Sequence, residues 1–237
     1  MSRRIGMIVP SSNTCLEPQT YRMLGDRTDV TVHFARIEVT RIALDGDADA
    51  QFDEQIMVDA AKLLATAKVD AIAWNGTSGS WLGLEHDEAI TDAITAATGI
   101  PATTSSLALV DALARNGVTQ LGLVTPYTPD VNLGVAAEYA RHGLEVTVER
   151  HLGLEDNESF GRVLPEELAP LVQQTFDAGV QGTAVLCTNL YGAPIVESLE
   201  AGAEARVYDS VAVTLWKCLD MIGAAGLDAR WGKALAG

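Results

Sequence analysis

Short apolar runs alternate with amphipathic stretches along almost the whole chain. Four runs in the first half have the length of buried strands, at residues 5–9, 30–34, 71–74 and 101–104. Four stretches have helical periodicity or helix-end signals, at residues 17–24, 50–67, 85–98 and 107–116. The polar residues 36–50 are predicted as a loop, and the helix after it is expected to bury Phe52, Ile56, Ala60, Leu63 and Leu64.

The same order of elements begins again near residue 118. Apolar runs predict strands at 121–124, 145–149, 184–186 and 205–208. Helices are predicted at 130–142, 165–178, 194–201 and 211–225, with a polar loop at 151–164. Residues 121–128 (LGLVTPYT) repeat the pattern of residues 5–12 (IGMIVPSS). An internal repeat of this kind indicates an old duplication.

Alternation of strands and helices predicts parallel sheets with right-handed crossovers. The sequence therefore predicts an α/β protein of two pseudo-symmetric, flavodoxin-like lobes with a site between them. The first lobe is predicted to comprise residues 1–117 plus 211–237, and the second residues 118–210. The last helix is expected to pack back on the first lobe.

Small polar residues follow the predicted strands, where open α/β sheets place their ligands. Cys187-Thr188-Asn189 follows one strand, and Gly76-Thr77-Ser78 follows the equivalent strand of the first half. The other two tips are Pro10-Ser11-Ser12-Asn13-Thr14 and Thr125-Pro126-Tyr127-Thr128. These tips predict a polar and almost uncharged site, suited to a carboxylate or an enediolate, with a thiol on one side only.

Cysteine is often an ordinary core residue, and Cys15 and Cys218 are interpreted in that way. Cys187 differs because backbone N–H groups at Thr188 and Asn189 directly follow it and could hold an anion beside the sulfur. Burial raises a thiol pKa, whereas N–H donors lower it. We expect burial to prevail, which leaves Cys187 protonated at neutral pH.

The formal net charge of −16 argues against a nucleic acid or an anionic membrane as partner. Arg36, just after the second strand, is the one nearby cation proposed for an anionic substrate, although a solvated surface role is as compatible with the sequence. No nucleotide-binding fingerprint, metal cluster or Cys–His pair is recognisable. We therefore expect chemistry without a cofactor or metal.

The three cysteines do not form a disulfide framework. No signal peptide or spanning segment is evident, so a cytoplasmic location is the expectation. A homo-oligomer is compatible with the sequence, which leaves the oligomeric state open.

Together, the tips at residues 5–14, 76–78, 125–127 and 187–188 resemble the aspartate/glutamate racemase superfamily, in particular its maleate cis-trans isomerases and arylmalonate decarboxylases. In that superfamily, racemases and maleate isomerases carry a cysteine in each half, whereas this chain has Gly76 at the first place. Arylmalonate decarboxylases have the pattern seen here, with a single cysteine in the second half.

The resemblance implies a substrate carboxylate that becomes an enediolate, held by Thr77, Ser78, Tyr127 and the backbone at Thr188. It implies that Cys187 protonates the carbanion on one face. Ser12, Asn13 and Arg36 resemble the isomerase pattern instead, in which the asparagine binds substrate carboxylate. The alternatives are therefore a decarboxylase of a substituted malonate, a maleate isomerase or racemase, and a dicarboxylate-binding protein without catalysis.

Overall fold

Two four-stranded parallel sheets form the framework of the protein, as the sequence predicts. The computed structural model describes residues 2–42 and 50–236. The first sheet has the order β2-β1-β3-β4 and the second the order β6-β5-β7-β8. The strands are β1 Arg3–Pro10, β2 Val30–Ile37, β3 Ala71–Trp74, β4 Ala102–Thr104, β5 Gln120–Thr125, β6 Glu145–His151, β7 Gly182–Val185 and β8 Arg206–Asp209. The identical order in both halves supports the inferred duplication.

Helices connect the strands and cover both sheets. Within the described residues they are α1 Leu16–Leu24, α2 Glu54–Thr66, α3 Gly79–Leu82, α4 Leu84–Thr98, α5 Ser105–Arg115, α6 Pro129–Arg141, α7 Asn157–Phe160, α8 Pro165–Asp177, α9 Val196–Glu200 and α10 Ser210–Met221. Single 3₁₀ turns occur at Ala50–Phe52, Ala193–Ile195, Ala229–Trp231 and Lys233–Leu235. None of these helices has the length and apolar content needed to cross a membrane.

A glycine in the first strand of each half lets a helix approach the sheet closely. A Cβ atom on Gly6 would lie 3.2 Å from the Leu64 side chain of α2. A Cβ atom on Gly122 would lie 2.6 Å from Cβ of Thr175 in α8, which is too close for any side chain. These approaches explain why the repeated motif has glycine at this position.

Helix α10 packs against α5 and α1 of the first half, as expected for the last helix. The Thr214 hydroxyl of α10 donates a hydrogen bond to the Ser105 hydroxyl over 2.8 Å. The Lys217 ammonium group lies 2.7 Å from the Asp111 carboxylate. These contacts join the last helix, which follows β8 of the second sheet, to the first half.

The prediction for the helix after residue 50 is correct for Phe52, Ala60 and Leu64, which are buried, and wrong for Ile56 and Leu63. Ile56 and Leu63 are 41% and 69% exposed, whereas Met57 and Ala61 are fully buried. The helix begins only at Glu54, after the Asp53 side chain accepts a hydrogen bond from the N–H of Gln55. The predicted loop at 36–50 begins with two residues of β2, and residues 43–49 of it lie outside the described residues. The predicted loop at 151–164 contains α7.

Candidate active site

The strand tips of both halves meet around one cavity. Its polar wall comprises Gly76, Thr77, Ser78, Tyr127, Asn157, Cys187 and Thr188. Its apolar wall comprises Pro10, Val39, Ile42, Phe52, Trp74 and Trp81. The cavity is narrow, with a volume of about 20 Å³. Gly76 and Cys187, at equivalent tips of β3 and β7, thus share one cavity.

Hydroxyl groups from both halves converge in this cavity. The Thr77 and Tyr127 hydroxyls lie 2.7 Å apart, and either oxygen can be the donor. The Ser78 hydroxyl is buried and has no hydrogen-bond partner among the described residues. Tyr127 is only 2% exposed, and burial raises its pKa well above the ordinary value. The three groups are therefore neutral donors that an oxyanion could use.

Cys187 lies two residues after the end of β7, and its sulfur accepts a hydrogen bond from the backbone. The N–H of Leu186 donates to the carbonyl of Val124 over 2.9 Å, which extends the pairing with β5. The N–H of Asn189 donates to the Cys187 sulfur over 3.3 Å. Burial raises the pKa of Cys187 to about 12, although hydrogen bonds from Asn189 and Tyr127 oppose this effect. The expectation that burial prevails over the N–H donors is thus correct, and the resting group is a thiol.

Asn13 lies behind the cavity wall and does not line it. Its Oδ1 atom accepts hydrogen bonds from the N–H groups of Cys15 and Leu16 at 3.0 and 2.9 Å, at the start of α1. Its Nδ2 atom donates to the Thr188 hydroxyl over 3.2 Å. The Thr188 hydroxyl donates in turn to the Asn75 carbonyl over 2.9 Å. Asn13 therefore couples the β1 tip to the β7 tip.

Asn157 lines the cavity, and the sequence interpretation missed it. Its Nδ2 atom donates to the Ser12 hydroxyl over 2.7 Å. Ser12 lies outside the wall, and its hydroxyl donates to the Val39 carbonyl. The Asp156 side chain accepts a hydrogen bond from Ser159 N–H, which caps the short helix α7 and places Asn157 in its first turn. An N-cap aspartate inside a polar stretch was the available signal.

Arg36 does not line the cavity either. Its guanidinium group lies 2.8 Å from the Glu17 carboxylate. Its Nη1 atom donates to the carbonyls of Ser11 and Asn13 at 2.9 and 3.0 Å. Arg36 thus stabilises the β1 tip from outside, and its charge is paired away from the cavity. This position does not support the expected contact between Arg36 and an anionic substrate.

A chain of aromatic rings forms much of the apolar wall. Phe52 packs on Trp74 and Trp81 with centroid distances of 6.4 Å, and Trp81 packs on Tyr127 at 5.2 Å. The Trp74 indole covers Gly76, because a Cβ atom on Gly76 would lie 2.3 Å from the ring. Only glycine permits this approach. The sequence interpretation did not assign either tryptophan to the site.

These residues give the site four chemical components. They are a neutral buried thiol, three hydroxyl donors, an amide at Asn157 and an apolar aromatic wall. Among the described residues, no Lys, Arg or His side chain lines the cavity. A bound carboxylate would therefore be held by neutral donors. A carbanion beside Cys187 could take a proton from the sulfur.

The sequence of this chain is similar to those of a known protein family. The sequence profile of the arylmalonate decarboxylase family matches residues 5–235. The chain is 29% identical to arylmalonate decarboxylase of Bordetella bronchiseptica, over 96% of this chain and 93% of the relative. It is 28% identical to maleate isomerase of Geobacillus stearothermophilus, over 99% of this chain and 97% of the relative.

A solved structure is similar over the same length. It is the liganded form of an arylmalonate decarboxylase in which a glycine is replaced by cysteine and a cysteine by serine. It superposes with a TM-score of 0.88 and 26% identity, covering 99% of each chain. The resemblance stated from the strand tips is confirmed, and this chain belongs to the arylmalonate decarboxylase family.

Proposed function

We propose that this enzyme decarboxylates a substituted malonate or a related dicarboxylate, with Cys187 as the proton donor. The observation that carries the proposal is the pairing of a neutral thiol at Cys187 with a glycine at the equivalent place, Gly76, in one cavity. A single proton donor suits a reaction that adds one proton to one face of a carbanion. Membership of the family supports the same reaction class.

In the proposed step, the bond between the α-carbon and one carboxylate breaks, and carbon dioxide leaves. The electron pair of that bond moves into the remaining carboxylate, which becomes an enediolate. The hydroxyls of Thr77, Ser78 and Tyr127 and the N–H of Thr188 stabilise its added negative charge. The sulfur of Cys187 then gives its proton to the α-carbon, and the resulting thiolate regains a proton from water.

The apolar wall supports decarboxylation in particular. A carboxylate placed against Val39, Ile42 and the aromatic rings loses its hydration, and that cost disappears when neutral carbon dioxide leaves. Arg36, which would oppose this effect if it entered the cavity, is paired with Glu17 outside it. The pairing of Arg36 thus removes an electrostatic objection to a decarboxylase.

Asn157 favours a second candidate, a maleate isomerase. Its amide is a polar group in the wall, and a second carboxylate that persists through the reaction would need such a donor. An isomerase of this kind would need another group in place of the first-half thiol, because position 76 is glycine. The absence of a cysteine at position 76 makes isomerisation the weaker candidate.

Incubation in D₂O with α-substituted malonates, maleate and D- or L-aspartate, followed by NMR, tests the proposal. Decarboxylation would place one deuteron on the α-carbon and release carbon dioxide. Turnover of maleate without loss of carbon would favour the isomerase, and exchange at the α-carbon of aspartate would favour a racemase. Tight dicarboxylate binding without turnover across the panel would indicate a binding protein and contradict both catalytic candidates.

A further inference from the structure

We propose that the indole N–H of Trp74 donates a hydrogen bond to the substrate carboxylate that becomes the enediolate. This inference rests on the proposed function and adds a residue to its oxyanion site. Trp74 ends β3, two residues before Gly76, and its side chain is fully buried in the cavity wall. It would be a further substrate-binding residue, beyond the hydroxyl groups of the tips.

The first argument is an unpartnered donor. The Nε1 atom of Trp74 is buried and has no hydrogen-bond partner among the described residues. Buried indole N–H groups usually have a partner, because leaving a donor unpaired is costly. The cavity is the space into which a ligand could bring the missing acceptor.

The second argument is the position of the donor. A Cβ atom on Gly76 would lie 2.5 Å from Nε1 of Trp74, so the N–H edge of the ring lies directly against the β3 tip. The next residue is Thr77, whose hydroxyl already faces that of Tyr127 at 2.7 Å. The indole N–H therefore lies close to the group of donors that would hold the enediolate.

The third argument is charge. No cationic side chain among the described residues lines the cavity, so neutral donors must balance a carboxylate there. A hydrogen bond to a charged acceptor contributes more than one between neutral groups. A hydrogen bond from the indole N–H of Trp74 would become stronger as negative charge grows on the retained carboxylate.

Three other tryptophans allow the inference to be tested selectively. The N–H of Trp231 is also buried without a partner among the described residues, but Trp231 lies outside the cavity. Trp231→Phe is therefore a matched control for the loss of an unpaired indole N–H. The N–H of Trp81 also lacks a partner among the described residues, but the Trp81 side chain is partly exposed, whereas that of Trp74 is fully buried.

The test is a titration of ¹⁵N-labelled protein with malonate, maleate and succinate, read at the indole and backbone N–H signals. Succinate is included because neither proposed reaction consumes it. The four indole signals are assigned by replacing the other three tryptophans in turn, so the wild-type measurement does not depend on a Trp74 variant. We expect the Trp74 indole proton to shift downfield together with the backbone signals of Thr77 and Thr188.

Affinity and turnover provide the second readout. Trp74→Phe keeps an aromatic ring and removes the donor, so the Kd should rise about tenfold or more, and kcat should fall. Trp231→Phe should leave the Kd and kcat within about twofold of the wild-type values. If the Thr77 and Thr188 signals move while the Trp74 indole stays, or if Trp74→Phe keeps the wild-type Kd, this inference is wrong and the proposed function survives. If no site signal moves with any ligand, the carboxylate site itself is refuted.

Discussion

The hydroxyl oxygens of Thr77 and Tyr127 lie 2.7 Å apart and join the two halves of the molecule inside the cavity. Thr77 follows β3 in the first sheet, and Tyr127 follows β5 in the second. Both side chains are buried, at 5% and 2% exposure. The contact between the two hydroxyls uses one of their two O–H donors. A substrate oxygen could take the other in place of the Cys187 sulfur, to which Tyr127 donates in the resting site.

Replacing Tyr127 with phenylalanine tests this pair. Tyr127→Phe removes one proposed oxyanion donor and leaves the ring that packs on Trp81 and Phe160. We expect kcat to fall by about 10²–10³, as for other single oxyanion donors. Steady-state rates on the substrate identified by NMR provide the measurement. Retention of more than half the wild-type kcat would contradict the assigned role.

Tyr139→Phe is the matched control for this substitution. The Tyr139 hydroxyl lies 2.9 Å from the Ser80 hydroxyl, also between the two halves, but neither residue lines the cavity. Loss of that bond should lower the free energy of unfolding by about 1 kcal/mol and leave kcat nearly unchanged. Denaturant unfolding of both variants separates a loss of stability from a loss of catalysis.

Cys187 should be essential as a proton donor and slow as a nucleophile. Cys187→Ala should lose at least about a hundredfold in rate, the usual scale for a positioned general acid. Because burial raises the pKa of Cys187 to about 12, the thiol keeps its proton from neutral pH to well above pH 9. Activity should therefore not require deprotonation of this group, and alkylation by iodoacetamide at pH 7.5 should be slow.

The other two cysteines provide the comparison. Cys15 and Cys218 are also buried, but neither lines the cavity. Cys15→Ala and Cys218→Ala should keep near-normal turnover wherever the variants fold. Full activity of Cys187→Ala, or rates that rise steeply between pH 7 and 9 with a thiol-dependent profile, would refute the proton-donor role.

The repeat of apolar runs and polar tips was sufficient to predict the fold, because each strand and its tip are local features. Cys187, Gly76, Thr77, Ser78 and Tyr127 were all predicted near one another, and the structure brings them into one cavity. Pseudo-symmetry made this possible, since equivalent strand tips of two similar halves face the same cleft. Their roles in substrate binding and catalysis remain predictions.

Side-chain direction at the β1 tip could not be predicted from the sequence. Asn13 was expected to bind substrate, but its amide caps the start of α1 and contacts Thr188. Arg36 was expected near the substrate, but Glu17, nineteen positions earlier, pairs with it. Both partners depend on how the chain turns after β1, and no local pattern encodes that turn.

The aromatic wall was missed for a different reason. An apolar strand that ends in tryptophan has the pattern of a buried core strand, so Trp74 was interpreted as part of β3 alone. The Trp74 side chain can lie over the β3 tip only because residue 76 is a glycine. Trp81 belongs to α3, a four-residue helix too short to show periodicity. Short elements and cross-tip contacts are therefore the parts that the sequence does not reveal.

The buried carboxyl group of Asp87 should make stability fall as pH rises towards neutrality. Burial raises the pKa of Asp87 to about 7, although the hydrogen bond from the Thr104 hydroxyl acts in the opposite direction. In the unfolded chain its pKa is near the ordinary value of about 3.9. The stabilisation that protonated Asp87 provides is fully present below about pH 4, and it is lost as the pH rises through about 7. The slope approaches about 1.4 kcal/mol per pH unit between these values.

Asp87→Asn should flatten this dependence, because the amide resembles the protonated carboxyl group. Its oxygen can accept from Thr104, whose hydroxyl donates to Asp87 in the native protein. Its NH₂ group can donate to the Ser106 hydroxyl, which is unpartnered in the described part of the chain. Urea unfolding at pH 4.5, 6 and 8 measures the change, with the exposed Asp92 of the same helix replaced by asparagine as control. Equal slopes in wild type and Asp87→Asn would contradict the shifted pKa.

The close approach of Trp74 to Gly76 determines what a second thiol would do. A cysteine at 76 would place its Cβ atom 2.3 Å from the indole ring, so Gly76→Cys must displace Trp74. We expect this variant to lose about 1–3 kcal/mol of stability, the usual cost of overpacking, and to show little activity. Adding Trp74→Leu frees the space, so the double variant should regain stability and present thiols from both halves.

With a thiol on each side, the double variant should exchange the α-proton of a chiral product and racemise it, although loss of the Trp74 indole N–H should slow both processes. NMR in D₂O with a single enantiomer of the product measures both processes. Trp74→Leu alone is the control, because this variant has the enlarged cavity and only one cavity thiol, Cys187. We expect it either to exchange the α-proton without racemisation or to show no exchange. If Gly76→Cys alone is as stable as wild type and racemises as fast as the double variant, Trp74 does not restrict this face of the cavity.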